Sequence, residues 1–74
     1  MKTKSEQTTE YIIQTVAPIF NKKGYDSTSL SDIVALTGLT KGAVYGNFES
    51  KEDLAVKVFL YNVKRMKTAL SNYL

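Results

Sequence analysis

The chain contains no cysteine and no histidine, one proline and four glycines, and its formal charge is only +3. Each shortage removes a class of function. Without cysteine there are no disulfides and no thiolate chemistry, and without cysteine and histidine together the usual zinc ligand sets are gone. A serine or cysteine triad needs a histidine base, so that hydrolytic machinery is excluded too. No acid–base set is paired at useful spacing, and Glu52 and Asp53 read as helix-start charges. The expectation is a non-enzyme with no cofactor and no metal. The missing cysteines fit a reducing cytoplasm, which is the expected location. The polar start Met1-Lys2-Thr3-Lys4-Ser5-Glu6 leads into no apolar signal-peptide region, and no run is long enough to span a bilayer.

What is present fits one small domain. In 74 residues, 43% hydrophobic, there is material for a compact helical unit but only a small core. Ten Lys and Arg against seven Asp and Glu permit a nucleic-acid partner without identifying one. Apolar residues recur at spacings of 3 and 4 almost throughout, which predicts four helices and no strands. The fold class expected is all-α: a three-helix helix-turn-helix head with a long fourth helix, a homeodomain-like bundle.

The first helix is predicted from about Ser5 or Glu6 to Lys23, with Ile13, Val16, Ala17 and Phe20 as its apolar stripe, widened by Ile12 and Ile19. Glu6 and Glu10 near its start and Lys22 and Lys23 at its end suit the helix dipole, and Gly24 supplies the left-handed residue that stops it. Pro18 lies inside; an interior proline removes one hydrogen bond, here near Gln14, and predicts a local kink rather than a break. The second helix spans about Leu30 to Leu36, with Ser29 and Asp32 as a capping box and Ile33 and Leu36 pointing inward. Gly38 makes the turn, with Leu39 as an apolar plug. A third helix follows from Lys41 to Asn47, capped by Thr40; Val44 faces the core and Phe48 closes the far end. That leaves Lys41, Gly42, Ala43, Tyr45 and Asn47 outside.

The fourth helix begins at Lys51, with Ser50 as its N-cap. At about 100° per residue, Leu54 and Val58 fall on one side, suited to the core of the head. Phe59, Val63, Met66, Leu70 and Tyr73 fall on another, with Val56 and Leu74 at its edge. Three short helices cannot cover both sides of a helix that outruns them, so this second stripe predicts a partner surface. Residues 1–50 are therefore read as the head and 51–74 as the fourth helix.

The third helix carries almost no large apolar side chain on its outer side, a shape made to lie against something. In a small basic chain that something is the DNA major groove, which a helix-turn-helix enters with its second helix. Lys41 is placed for a guanine O6 or N7, Gly42 and Ala43 for close approach and a thymine methyl, and Tyr45 for a phosphate or sugar. Ser31, Thr40 and Asn47 can donate to phosphates, and Lys51 stands at a helix N-terminus that already favours an anion. Each has a plainer reading: Thr40 and Ser50 as caps only, Gly42 as a mild helix defect, Tyr45 as a core-rim aromatic, Lys51 as a solvated charge. The combination at this spacing is what favours DNA.

From Ile12 to Val58 the chain resembles the N-terminal head of the tetracycline-repressor (TetR) family of bacterial transcriptional regulators. The matching residues are Ala17, Phe20, Gly24-Tyr25, Thr28-Ser29, Asp32-Ile33, Gly38, Thr40-Lys41-Gly42, Val44-Tyr45, Phe48, Ser50-Lys51-Glu52 and Leu54. The resemblance implies that Tyr45 and Lys51 grip phosphates, that Thr40 to Ala43 lie at the bases, and that a homodimer binds a palindromic operator. It further implies a C-terminal domain for dimerisation and a small-molecule effector, beyond these residues. Gly46 and Asn47 depart from the aromatic and histidine that members often carry, so fewer contacts and an early end to the helix are expected there. Two rival readings use the fourth helix alone: a protein-interaction module pairing through Phe59, Val63, Met66 and Leu70, or a membrane-surface helix flanked by Lys57, Lys64, Arg65 and Lys67.

Overall fold

A computed structural model describes residues 2–73, the side chain of Tyr73 excepted. Four helices follow one another: α1 Lys4–Lys23, α2 Leu30–Thr37, α3 Lys41–Tyr45 and α4 Lys51–Tyr73. No strand occurs among the described residues, and none of their helices is long and apolar enough to cross a membrane. Tyr73 as a member of the α4 stripe, and Leu74 at its edge, lie outside what is described.

Local chemistry sets most of the boundaries. Thr3 caps α1 by accepting from the Glu6 N–H at 3.1 Å, so the helix begins slightly earlier than its apolar pattern suggests. Gly24 ends it with a positive φ of 94°. Pro18 sits on the exposed side and α1 runs through it unbroken. The Ser29–Asp32 capping box is formed in both directions at 3.0 Å. Gly38 closes α2 in the left-handed region, at φ 70°. Ser50 accepts from the Asp53 N–H at 3.1 Å, while the Asp53 carboxylate accepts from the Glu49 N–H and pairs with Lys57 at 2.8 Å.

α1 packs on both α2 and α4, and α2 holds α3. Where they meet, Ile12, Val16, Ala17, Ile33, Val44, Phe48, Leu54 and Val58 are buried, with Ile13, Phe20, Leu30, Val34, Leu39 and Tyr61 packed around them. Ile19, the other widener of the α1 stripe, is half-buried. Two expectations need correcting, one inward placement and one helix end. Leu36 is 46% exposed, and Thr37 is buried in its stead. Thr37 tolerates burial because its hydroxyl donates to the Val34 carbonyl at 3.2 Å and accepts from the Leu39 N–H at 3.3 Å. The second correction concerns length: α3 ends at Tyr45, two residues before Asn47. Gly46 follows in a right-handed conformation, its N–H donating to Gly42 and Val44, and the ladder stops there.

Candidate nucleic-acid interface

The helix-turn-helix is α2, the turn at Gly38 and α3. Val44 anchors α3 from beneath, fully buried, and the cap hydroxyl of Thr40 accepts from the Ala43 N–H at 3.1 Å. With its inner side fixed, a five-residue helix has one free face. Lys41, Gly42 and Tyr45 occupy it, all exposed, and Ala43 is half-buried at its margin. The Lys41 ammonium stands 5.7 Å from the centroid of the Tyr45 ring, one turn along. Tyr45 is 40% exposed, so it belongs to the rim and not to the core. Among the described residues, a Cβ built on Gly42 would meet nothing within 4 Å beyond its chain neighbours and its own helix backbone, so packing there does not require glycine. Ser31 and Thr40 are exposed as well, on the start of α2 and at the cap of α3.

Lys51 is held differently. It is the first residue of α4, half-buried, with its ammonium 4.2 Å from the centroid of the Tyr25 ring. Tyr25 in turn meets Phe20 edge-on at 5.7 Å, which fixes the platform to the end of α1. The Tyr25 phenol is pushed above its usual range, first by partial burial and then by its hydrogen bond to Glu52. Glu52 is held below the usual carboxylate range by its own backbone N–H, by that tyrosine and by neighbouring Lys51. The lysine is thus oriented by the Tyr25 ring before any ligand arrives.

Asn47 departs from the outward placement the sequence suggests. It is half-buried: its Oδ1 accepts from the Thr9 hydroxyl and its Nδ2 donates to the Ala43 carbonyl, each at 2.5 Å. Two further bonding residues have no signal in the sequence. Tyr11 donates its hydroxyl to the Thr37 carbonyl at 2.7 Å, and Thr9 reaches across 38 residues. For Tyr25, only the family resemblance flags the position. No group of three or more His, Cys, Asp or Glu side chains that could hold a metal occurs among the described residues.

The family described as bacterial regulatory proteins, tetR family, matches residues 12–58. The chain belongs to the TetR family. It is 33% identical over 58 residues to the HTH-type transcriptional regulator AcrR of Shigella flexneri, covering 78% of this chain and 27% of that protein. It is 35% identical over 68 residues to IcaR, the HTH-type negative transcriptional regulator of the icaADBC biofilm operon in Staphylococcus aureus, of which it covers 37%. A solved TetR-family transcriptional regulator from Cytophaga hutchinsonii superposes with a TM-score of 0.90 at 46% identity, over 97% of this chain and 36% of that one. The chain therefore spans between about a quarter and two-fifths of these relatives' lengths. All three are named as transcriptional regulators and none as an enzyme. The segment matched, 12–58, holds the helix-turn-helix and the start of α4.

Proposed function

We propose that this TetR-family chain is the sequence-specific DNA-binding head of a transcriptional regulator, a repressor, that lays α3 in the major groove. One observation carries the reading: Lys41, Gly42 and Tyr45 share the free face of a helix pinned by buried Val44, and among the described residues nothing beyond the helix's own backbone fills the space over Gly42. Lys41 reads a base edge, with Gly42 and Ala43 permitting close approach. Tyr45 and Lys51 grip phosphates, and Ser31 and Thr40 add neutral contacts that set register. The part of a negative regulator is extended to this chain from IcaR. Palindromic operator, homodimer and effector are extended to this chain from the family resemblance, and a cytoplasmic location from its lack of cysteine.

Fluorescence anisotropy with labelled duplex at two salt concentrations tests the reading. Affinity is expected to fall with salt, because every phosphate neutralised releases counterions. Absence of salt-dependent binding by the 74-residue chain at high concentration would sink it. Binding by a single head is expected to be weak, since linking two heads on a palindrome raises effective concentration.

A second role is favoured for α4. Val56, Phe59, Leu60, Met66 and Leu70 are all more than half exposed, a band of large apolar side chains. Such a band suits an apolar partner, either a second copy or the remainder of the regulator. Sedimentation across a concentration series checks the first of these, and vesicle co-sedimentation checks the membrane-surface alternative.

A further inference from the structure

The bond between Thr9 and Asn47 ties the first turns of α1 to the far end of the helix-turn-helix, and it rests on a defect in α3. Because α3 stops at Tyr45, the Asn47 N–H turns back to Val44 at 3.2 Å instead of donating to the Ala43 carbonyl four residues earlier. The Asn47 side chain supplies the missing donor through Nδ2, at 2.5 Å. Its other end, Oδ1, accepts the Thr9 hydroxyl, also at 2.5 Å. One amide therefore closes the C-terminal end of α3 and fastens it to α1. The Thr9 hydroxyl has a single proton, shared between Asn47 and the Ser5 carbonyl at 3.0 Å. Its bonding is internal to the protein.

We propose that Thr9 and Asn47 are positioning residues that fix the orientation of α3 for DNA, acting through the helix end and not by touching phosphate. The proposal rests on the DNA-binding reading for its consequence, but the latch itself is a property of the free protein. A five-residue helix has little rigidity of its own, so its aim depends on what holds its two ends. Thr40 and buried Val44 hold the start and the middle. The latch holds the end, next to Tyr45. Losing it lets the free face rock on Val44, and Lys41 and Tyr45 then no longer share one fixed plane.

A double-mutant cycle separates a latch from two phosphate contacts. Thr9→Val, Asn47→Ala and the pair are compared by anisotropy on duplexes selected from a random pool, at a temperature where circular dichroism shows all of them folded. A latch can be broken only once, so Thr9→Val is expected to lose about 3–10-fold, the range of one net hydrogen bond. Asn47→Ala should lose at least as much, because it also leaves the Ala43 carbonyl without its donor, and the pair no more than Asn47→Ala alone. Thr9→Ser keeps the hydroxyl and is expected to restore binding. Losses that add in the double variant, or a Thr9→Val protein that binds like the parent, overturn the proposal. Amide hydrogen exchange without DNA gives an independent arm: the Val44, Tyr45 and Gly46 amides are expected to exchange about 3–10-fold faster in Thr9→Val, with α1 and α4 unchanged. Unaltered exchange overturns the latch even if binding changes. If the parent binds no DNA while the exchange arm succeeds, the functional reading has failed and the latch has not.

Discussion

The free face of α3 and the outward band of α4 are both exposed, yet they are opposites in chemistry. On α3 the outer residues are a lysine, a glycine, a small alanine margin and a tyrosine rim. On α4 they are Val56, Phe59, Leu60, Met66 and Leu70. Covering the α4 band removes apolar surface from water at about 25 cal/mol per Å², so an apolar partner gains by packing there. Covering the α3 face removes little such surface. A partner gains there only through charge, hydrogen bonds and close approach, which is what a phosphate-lined groove offers. Exposure marks both surfaces as unfinished; side-chain chemistry says what finishes each.

The contrast breaks most easily at Lys41. Lys41→Ala is expected to cost about 1–3 kcal/mol on the preferred duplex and to relax preference at one base pair, with little change on random DNA. Equal losses on both duplexes would reduce Lys41 to a phosphate contact. Lys51→Ala should behave in the complementary way, weakening every sequence alike and lowering the slope of log affinity against log salt by about one unit. Its ammonium is already placed over the Tyr25 ring, so the charge is delivered with little loss of side-chain freedom. An unchanged slope would remove Lys51 from the phosphate role.

Two glycines four residues apart sharpen the same comparison. Gly42→Ala adds a methyl that, among the described residues, meets nothing within 4 Å beyond its own helix backbone and chain neighbours. Its expected effect on the free protein is a gain of about 0.5–1 kcal/mol, since alanine suits a helix better than glycine. On DNA the same methyl stands between helix and groove, and affinity should fall. Gly46→Ala is expected to do the reverse to stability, because its Cβ would come 2.9 Å from the Gly42 carbonyl oxygen and the backbone must shift; a loss of about 1 kcal/mol is expected. Chemical denaturation alongside anisotropy reads both signs. A Gly42→Ala protein that is steadier and binds equally well would mean that nothing approaches that face closely.

The helix caps give a smaller effect, visible only in acid. Asp32 is held below the usual carboxylate range first by the Ser29 backbone N–H and hydroxyl, then by Lys23. Asp53 is lowered first by Lys57 and then by the Glu49 N–H. Both carboxylates titrate lower in the folded than in the unfolded chain, so the unfolded state binds more protons as the pH falls. Their contribution is full above about pH 4, the ordinary unfolded range, and is lost as the pH drops through the lower folded values. Tm should decline below about pH 4, and the Asp32→Asn, Asp53→Asn double variant should flatten that decline. A parallel decline in that variant would point to other groups.

Much of this arrangement is legible in the residues, and the exceptions have physical reasons. Val44, Leu54 and Val58 are buried where helical spacing puts them, and Ser29, Thr40 and Ser50 cap where short polar side chains precede a helix. Leu36 misleads because both the third and the fourth residue after Ile33 fit an inward stripe in so short a helix. Thr37 takes the inner place since its hydroxyl is satisfied locally. The end of α3 was foreshadowed by Gly46, but what its early end does to Asn47 was not. That depends on Thr9, 38 residues away, and no local pattern announces a side-chain bond across that distance.

The smallest expected effect is a null, and it is the one that separates the two surfaces. Phe59 and Leu60 are 65% and 58% exposed and lie beyond Val58, the last residue of the buried cluster. Replacing both by serine removes side chains that the free chain leaves mostly exposed, so stability should change by less than about 1 kcal/mol. Neither residue belongs to α3 or to the Lys51 platform, so affinity for short duplexes carrying one half-site should not change. If copies of the chain associate through this band, the double serine variant should shift sedimentation toward the monomer and weaken binding only on duplexes carrying two half-sites. Loss of affinity on a single half-site would mean that α4 takes part in DNA contact along its length, and the division between a polar reading face and an apolar docking face would have to be abandoned.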